Sequence, residues 1–124
     1  MHLLSSNFVH GQRIPEEFAF CAPDPAKHVR MSGNRNPHLR WTGVPSTAKS
    51  LVLLCVDVDV PTRTDDVNQE GRSVPADLPR TSFWHWVLVD IPPSVSEIPA
   101  GFACDGVTAR GKREPHGPRG SRQG

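Results

Sequence analysis

Two apolar runs constrain this chain more than anything else in it: Leu51 to Pro61, LVLLCVDVDVP, and Phe83 to Ile91, FWHWVLVDI. Each has the length of a strand, carries β-branched residues and is followed by proline, which favours strand over helix. In the first run Leu51, Leu53, Cys55 and Asp57 alternate with Val52, Leu54 and Val56, so both faces are apolar. Such a strand is expected to be buried on both sides, as in the centre of a sandwich. Polar residues gather at one end of each run. The first closes on Asp57 and Asp59, and the second opens with His85 between Trp84 and Trp86. If the runs pair antiparallel, two carboxylates, an imidazole and two indoles meet at one end of a sheet.

The rest of the chain supplies turns rather than helices. Thirteen prolines and ten glycines in 124 residues, with only 36% apolar residues, fit one domain with a modest core. Residues 2–9 read as a short strand turned by His10-Gly11-Gln12. Residues 14–20 read as a second extended piece, kept to an edge or a loop by Pro15, which has no N–H for a ladder. Residues 21–38 carry no period and read as irregular loop, with a turn at Asn34-Arg35-Asn36-Pro37. Leu39-Arg40-Trp41 reads as a strand that buries Leu39 and Trp41 on one face. Residues 62–82 form a long polar connection, of a kind that is usually functional or disordered. Pro92-Pro93 ends the second run, and Val95 and Ile98 anchor the loop that follows. Trp84 and Trp86, on the face of the second strand opposite His85, are expected in the core. The class is mostly β, with few or no long helices.

Charge and cysteine usage exclude several functions. The chain has a net charge of +1. From Gly106 onward Arg110, Lys112, Arg113, Arg119 and Arg122 stand against Glu114 alone, so a basic tail follows a slightly acidic body. No case for nucleic-acid binding follows from that balance. The chain divides into a β domain over 1–105 and a tail over 106–124, predicted disordered because it is low in complexity and lacks periodicity. Cys21, Cys55 and Cys104 lie far apart without CxxC or CxxH spacing, which argues against a structural zinc site. An odd count without a framework suits a reducing compartment. No signal-peptide pattern and no transmembrane run are present, and the expectation is a cytoplasmic protein.

The Asp-x-Asp of Asp57 and Asp59 places both carboxylates on one side of a strand. The plainer account is a pair of turn residues before Pro61. His85 shares a face with Phe83, Val87 and Val89, where a lone histidine is more often a satisfied core group than a ligand-binding one. A carboxylate beside it changes that balance by orienting the ring and favouring its cation. A hydrolase needs a nucleophile with a base in reach. No GxSxG occurs, and Ser82 points to the other side of the strand from Phe83. A metal site on Asp57, Asp59 and His85 is permitted by residue type, but the spacing is not diagnostic. A small pocket for an anionic head group asks least of the same residues. No catalytic residue, metal or cofactor is assigned.

The combined pattern resembles the phosphatidylethanolamine-binding protein family in its bacterial Raf-kinase-inhibitor-like branch. The matching pieces are Gly11 with Ile14-Pro15, Asn34-x-x-Pro37 with Leu39-x-Trp41, Gly43-x-Pro45, Lys49-Ser50, Asp57-x-Asp59-x-Pro61, Trp84-His85-Trp86 with the following Val-Leu-Val-Asp, and Ile98-Pro99-x-Gly101. They cover nearly all of 1–105. The resemblance implies an antiparallel β-sandwich with a small anion pocket at one end, and a binder rather than an enzyme. Ligands would be phosphate-bearing small molecules, lipid head groups or phosphorylated side chains, and a protein partner such as a kinase or protease would be regulated. Carried over, Asp57 and His85 hydrogen-bond the ligand, Asp59 shapes and supports the pocket, and Pro61 forms a rigid wall. The alternatives are a metal-assisted hydrolase on Asp57, Asp59 and His85, and an inactive fragment. The departures are Val58 and Val60, where the family has proline and alanine, and Asn36, where it has serine. The family's later Gly-Pro-rich segment and His-Arg-Tyr-like strand have no counterpart before Gly124. The expectation is therefore a truncated member, an incomplete sandwich with open edges, prone to low stability or self-association.

Overall fold

The computed structural model describes residues 1–124. The fold is mostly β, assembled from antiparallel pairs: β1 His2–Leu4, β2 Cys21–Asp24, β3 His28–Met31, β4 Leu39–Thr42, β5 Leu51–Pro61, β6 Arg80–Ile91, β7 Glu97–Ile98 and β8 Arg122–Gln123. Two single 3-10 turns, Glu16–Phe18 and Pro118–Gly120, are the helical elements. No helix is long and apolar enough to cross a membrane. The chain folds as two units, one from residues 1–52 with 88–124 and one from residues 53–87.

The larger unit holds the core. In β4 Leu39 and Trp41 are buried while Arg40 and Thr42 face out, the alternation expected from the sequence. β1 and β7 flank β4, with Leu3 opposite Trp41 and Leu39 opposite Ile98. The Trp41 indole N–H donates to the Val95 carbonyl at 2.9 Å, so the ring is buried with its polar atom satisfied. Leu88, Ile91 and Ile98 are fully enclosed, each worth about 1.5–3 kcal/mol of burial. Val95 and Ile98 are buried as the anchors of their loop.

A buried amide ties this core to the segment after it. Asn36 donates from Nδ2 to the Pro37 and Pro99 carbonyls, both at 2.9 Å, and accepts the Ala103 and Cys104 N–H groups at 2.8 and 2.9 Å. Its own N–H donates to the Cys104 carbonyl at 2.9 Å. The turn expected at Asn34–Pro37 is thus a structural hub, with Asn34 at the positive φ of 46° that asparagine tolerates.

Several expectations are corrected. Residues 14–20 are not an extended piece: Phe18 and Ala19 donate back to the Pro15 and Glu16 carbonyls, because Pro15 opens a 3-10 turn with Glu16 and Glu17 in it. Residues 21–31 are not irregular loop but the β2–β3 hairpin, with Cys21 opposite Met31 and Asp24 opposite His28. The Asp24 carboxylate accepts the N–H groups of Ala26 and Lys27 at 2.9 and 2.8 Å, which fixes the turn that aperiodic residues do not announce. Where a disordered tail was expected over 106–124, the chain carries a 3-10 turn around buried Pro118 and the strand β8. Leu88 pairs with Gln123 and Val89 with Arg122, whose guanidinium meets the Asp90 carboxylate at 2.5 Å.

The smaller unit contains the outer lengths of β5 and β6 and the 62–79 connection. The strands are neighbours in a sheet. Asp57 lies against His85, and Thr62 donates its N–H to the Pro79 carbonyl at 3.0 Å, so numbers fall on one strand as they rise on the other. This is the predicted antiparallel pairing. Burial on both faces of β5 is not found: Val58 is 72% and Leu54 47% exposed. Trp84, expected in the core, is 55% exposed. Alternating apolar residues make a strand that can be covered on both faces; they do not supply the cover.

Candidate functional site

The side-chain period of a strand puts Cys55, Asp57 and Asp59 of β5 on one face, with Phe83 and His85 of β6. Leu54, Val56 and Val58 face the other way, as do Trp84 and Trp86. The indoles therefore lie opposite the carboxylates and do not join them.

On the polar face the His85 Nε2 atom is 3.8 Å from the Asp57 Oδ2 atom, with both side chains about half exposed. Asp57 uses its other oxygen, Oδ1, to accept the backbone N–H of Asp59 at 2.8 Å. That bond fixes the carboxylate, leaving Oδ2 turned toward the ring. Phe83 packs edge-on against His85 with ring centroids 5.0 Å apart, which limits the imidazole's swing. The Cys55 thiol, two residues before Asp57, is raised above its ordinary pKa of 9.0, first by desolvation and then by the Asp57 charge.

Asp59 behaves differently. Its carboxylate is 82% exposed and lies 3.7 Å from the Arg80 guanidinium. Arg80 also donates to the Asp59 carbonyl at 3.4 Å and to the Ala76 carbonyl at 3.2 Å. Pro61 is half-buried at the end of β5, beside the Thr62–Pro79 hydrogen bond. The structure thus joins Asp57 to His85, and directs Asp59 to Arg80. Arg80 is the residue that sequence reasoning missed. In the sequence it lay inside the polar 62–82 connection; in the structure it is the first residue of β6.

Chemically, Asp57 and His85 offer an acceptor and a ring able to donate from two nitrogens when protonated. Arg80 adds a fixed positive charge on the Asp59 side. No group of three or more histidine, cysteine, aspartate or glutamate side chains is arranged to hold a metal ion. The smaller unit also has a cavity of about 80 Å³ lined by Arg63, Asp65, Asp66, Val74, Pro75 and Leu78, which excludes Asp57 and His85. Arg63 pairs there with Asp65, and Asp66 pairs with Arg72, each at 2.9 Å.

Comparison with known proteins gives one consistent answer. A profile described as phosphatidylethanolamine-binding protein matches residues 4–124. The UPF0098 protein YbhB of Escherichia coli K12 is 30% identical over 103 residues, which are 82% of this chain and 51% of that protein. A UPF0098 protein of Chlamydia pneumoniae is 27% identical over 110 residues, 86% of this chain and 65% of its own length. One from Aquifex aeolicus is 28% identical over 102 residues, 82% of this chain and 43% of its own. The chain therefore spans about two fifths to two thirds of the length of these relatives.

Proposed function

The chain belongs to the phosphatidylethanolamine-binding protein family, and on that premise we propose that it is a non-enzymatic binding protein for phosphate-bearing ligands. Membership of the family suggests a binding protein. The finer reading rests on one observation, the 3.8 Å approach of His85 to Asp57 beside a fixed carboxylate. In this reading the His85 ring, steadied by Asp57 and Phe83, donates an N–H to a phosphate oxygen. Asp57 accepts the P–OH proton of a monoester, whose second ionisation lies near 6 and so leaves part of the population protonated at neutral pH. Asp59 and Arg80 brace the strand end, and Pro61 supplies a rigid wall. A phosphorylated side chain presents the same monoester chemistry; the diester of a phospholipid head group carries no such proton and meets only the His85 ring as acceptor. Action on a kinase or protease in the cytoplasm belongs to the same proposal, with the bacterial Raf-kinase-inhibitor-like branch as its nearest setting.

Titration with phosphoethanolamine, followed through the His85 ring resonances, tests the reading. A saturable shift that is lost in Asp57→Ala supports it. A ring that stays put at millimolar phosphoethanolamine and millimolar inorganic phosphate overturns it.

A further inference from the structure

A second reactive pair lies in the larger unit. Cys104 Sγ is 3.4 Å from Lys112 Nζ. Both groups are held in place. The thiol donates to the Asn34 carbonyl at 3.0 Å, and the ammonium donates to the Gly106 carbonyl at 3.0 Å. The backbone of Cys104 is pinned in both directions by Asn36. Both side chains are half-buried, and both line a cleft of about 410 Å³ shared with Phe102, Arg113 and His116. A small solute can reach the sulfur through that cleft. Cys21, Cys55 and Cys104 are all free thiols. Cys21 faces the Met31 thioether at 3.9 Å, so of these thiols Cys104 is the one placed against an amine.

We propose that Cys104 and Lys112 form a peroxide-responsive thiol–amine pair that closes a covalent sulfenamide link. Hydrogen peroxide transfers one oxygen to the Cys104 sulfur, giving sulfenic acid while the peroxide leaves as water. A sulfenic sulfur is electrophilic and condenses with thiols or with nitrogen. Here the nitrogen already in place is Lys112 Nζ. The ammonium first gives one proton to solvent in the cleft; the free amine's lone pair then attacks the sulfur, the S–N bond forms and the S–O bond breaks. The hydroxyl leaves as water with a second proton from the nitrogen. Thiol, ammonium and peroxide thus become the link, two waters and one proton. The link staples the basic segment to the turn before it, removes one cation from the cleft, and shields the sulfur from further oxidation to sulfinic acid. A dithiol reverses it, returning thiol and amine while becoming a disulfide.

The full chain carrying Cys21→Ser and Cys55→Ser leaves Cys104 as the sole thiol. Treatment with stoichiometric hydrogen peroxide and non-reducing mass spectrometry should show a product two hydrogens lighter than the reduced protein. Trypsin should then fail to cut at Lys112, the 81–110 peptide should appear joined to 111–113, and dithiothreitol should separate the two and restore the cut. Lys112→Arg in the same background should instead yield a dimedone adduct on Cys104. A dimedone adduct or sulfinic acid with Lys112 still free overturns the proposal without recourse to any lysine variant. Persistence of the mass loss in Lys112→Arg overturns it equally.

Discussion

Asp57 and Asp59, two residues apart on one face of β5, face different partners: Asp57 approaches His85 at 3.8 Å and Asp59 approaches Arg80 at 3.7 Å. The motif therefore works as two separate pairs rather than as one acidic cluster. The pairs are exposed, and an exposed pair contributes about 0–1 kcal/mol to stability. A structural role alone gives little reason for this arrangement, which is why substitution should separate binding from folding.

His85→Ala and Asp57→Ala should each weaken phosphoethanolamine binding at least about tenfold, roughly 1.4 kcal/mol. The melting temperature should hardly move, because the groups removed are half exposed. Calorimetric titration beside a thermal melt reads both. Equal binding by His85→Ala and the parent would remove the imidazole from the site.

Arg80→Gln should act on the connection rather than on the ligand directly. Its guanidinium reaches the Asp59 and Ala76 carbonyls, holding the ends of the 62–79 segment to β5. The expected result is faster hydrogen exchange at the Thr62 amide, with a stability change of about 1 kcal/mol or less. Unchanged exchange there would mean that Thr62–Pro79 alone holds the strand end.

Asn36→Ala should be the most damaging of these substitutions. It removes two acceptor bonds from the Ala103 and Cys104 amides and two donor bonds to Pro37 and Pro99. Each buried group left unpaired costs about 1–3 kcal/mol, so a loss of at least about 3 kcal/mol is expected. A melt unshifted relative to a Gln69→Ala control would show that water replaces the amide at no cost.

How much of this was legible depended on whether a residue's partner is near in sequence. Leu39 and Trp41 announce β4 through alternation, and LVLLCVDVDVP announces β5 through its apolar content, because both signals are local. The approach of Asp57 to His85 followed once those strands were paired. Asn36 was readable only as a residue before proline, since three of its four side-chain amide partners sit more than sixty positions away. The β2–β3 hairpin stayed hidden because its order comes from the ladder and from Asp24 capping the turn, while its own residues include Pro23 and carry no period. Exposure of Val58 and Trp84 was unreadable for another reason: apolar alternation reports what a strand can bury, and burial needs a second surface.

That exposed surface leads to a test of association. Leu54, Val58 and Trp84 lie on the face of β5 and β6 opposite His85, and all three are exposed. Apolar patches of this kind promote association between chains. Size-exclusion chromatography should show retention that depends on protein concentration. Val58→Lys with Trp84→Lys should move the chain toward monomer, with a stability change within about 0.5 kcal/mol, as for exposed positions generally. A concentration-independent monomer before substitution would sink the idea.

Acid should loosen the β2–β3 hairpin through Asp24. Its carboxyl is held below the ordinary 3.8, chiefly by the Lys27 N–H, then by the Ala26 N–H, with the Arg30 charge adding to the effect and slight desolvation opposing it. A carboxyl with a depressed folded value contributes stability that is present above its unfolded value and is lost as pH falls through the folded one. The window for Asp24 therefore lies below 3.8. In an NMR titration the Ala26 and Lys27 amides should shift together with an inflection below that point. Asp24→Asn should abolish the inflection while keeping the turn, since its side-chain oxygen still accepts. Asp24→Ala should release both amides at every pH. An inflection at or above 3.8 in the parent protein would mean that these two hydrogen bonds do not form in solution as the structure places them.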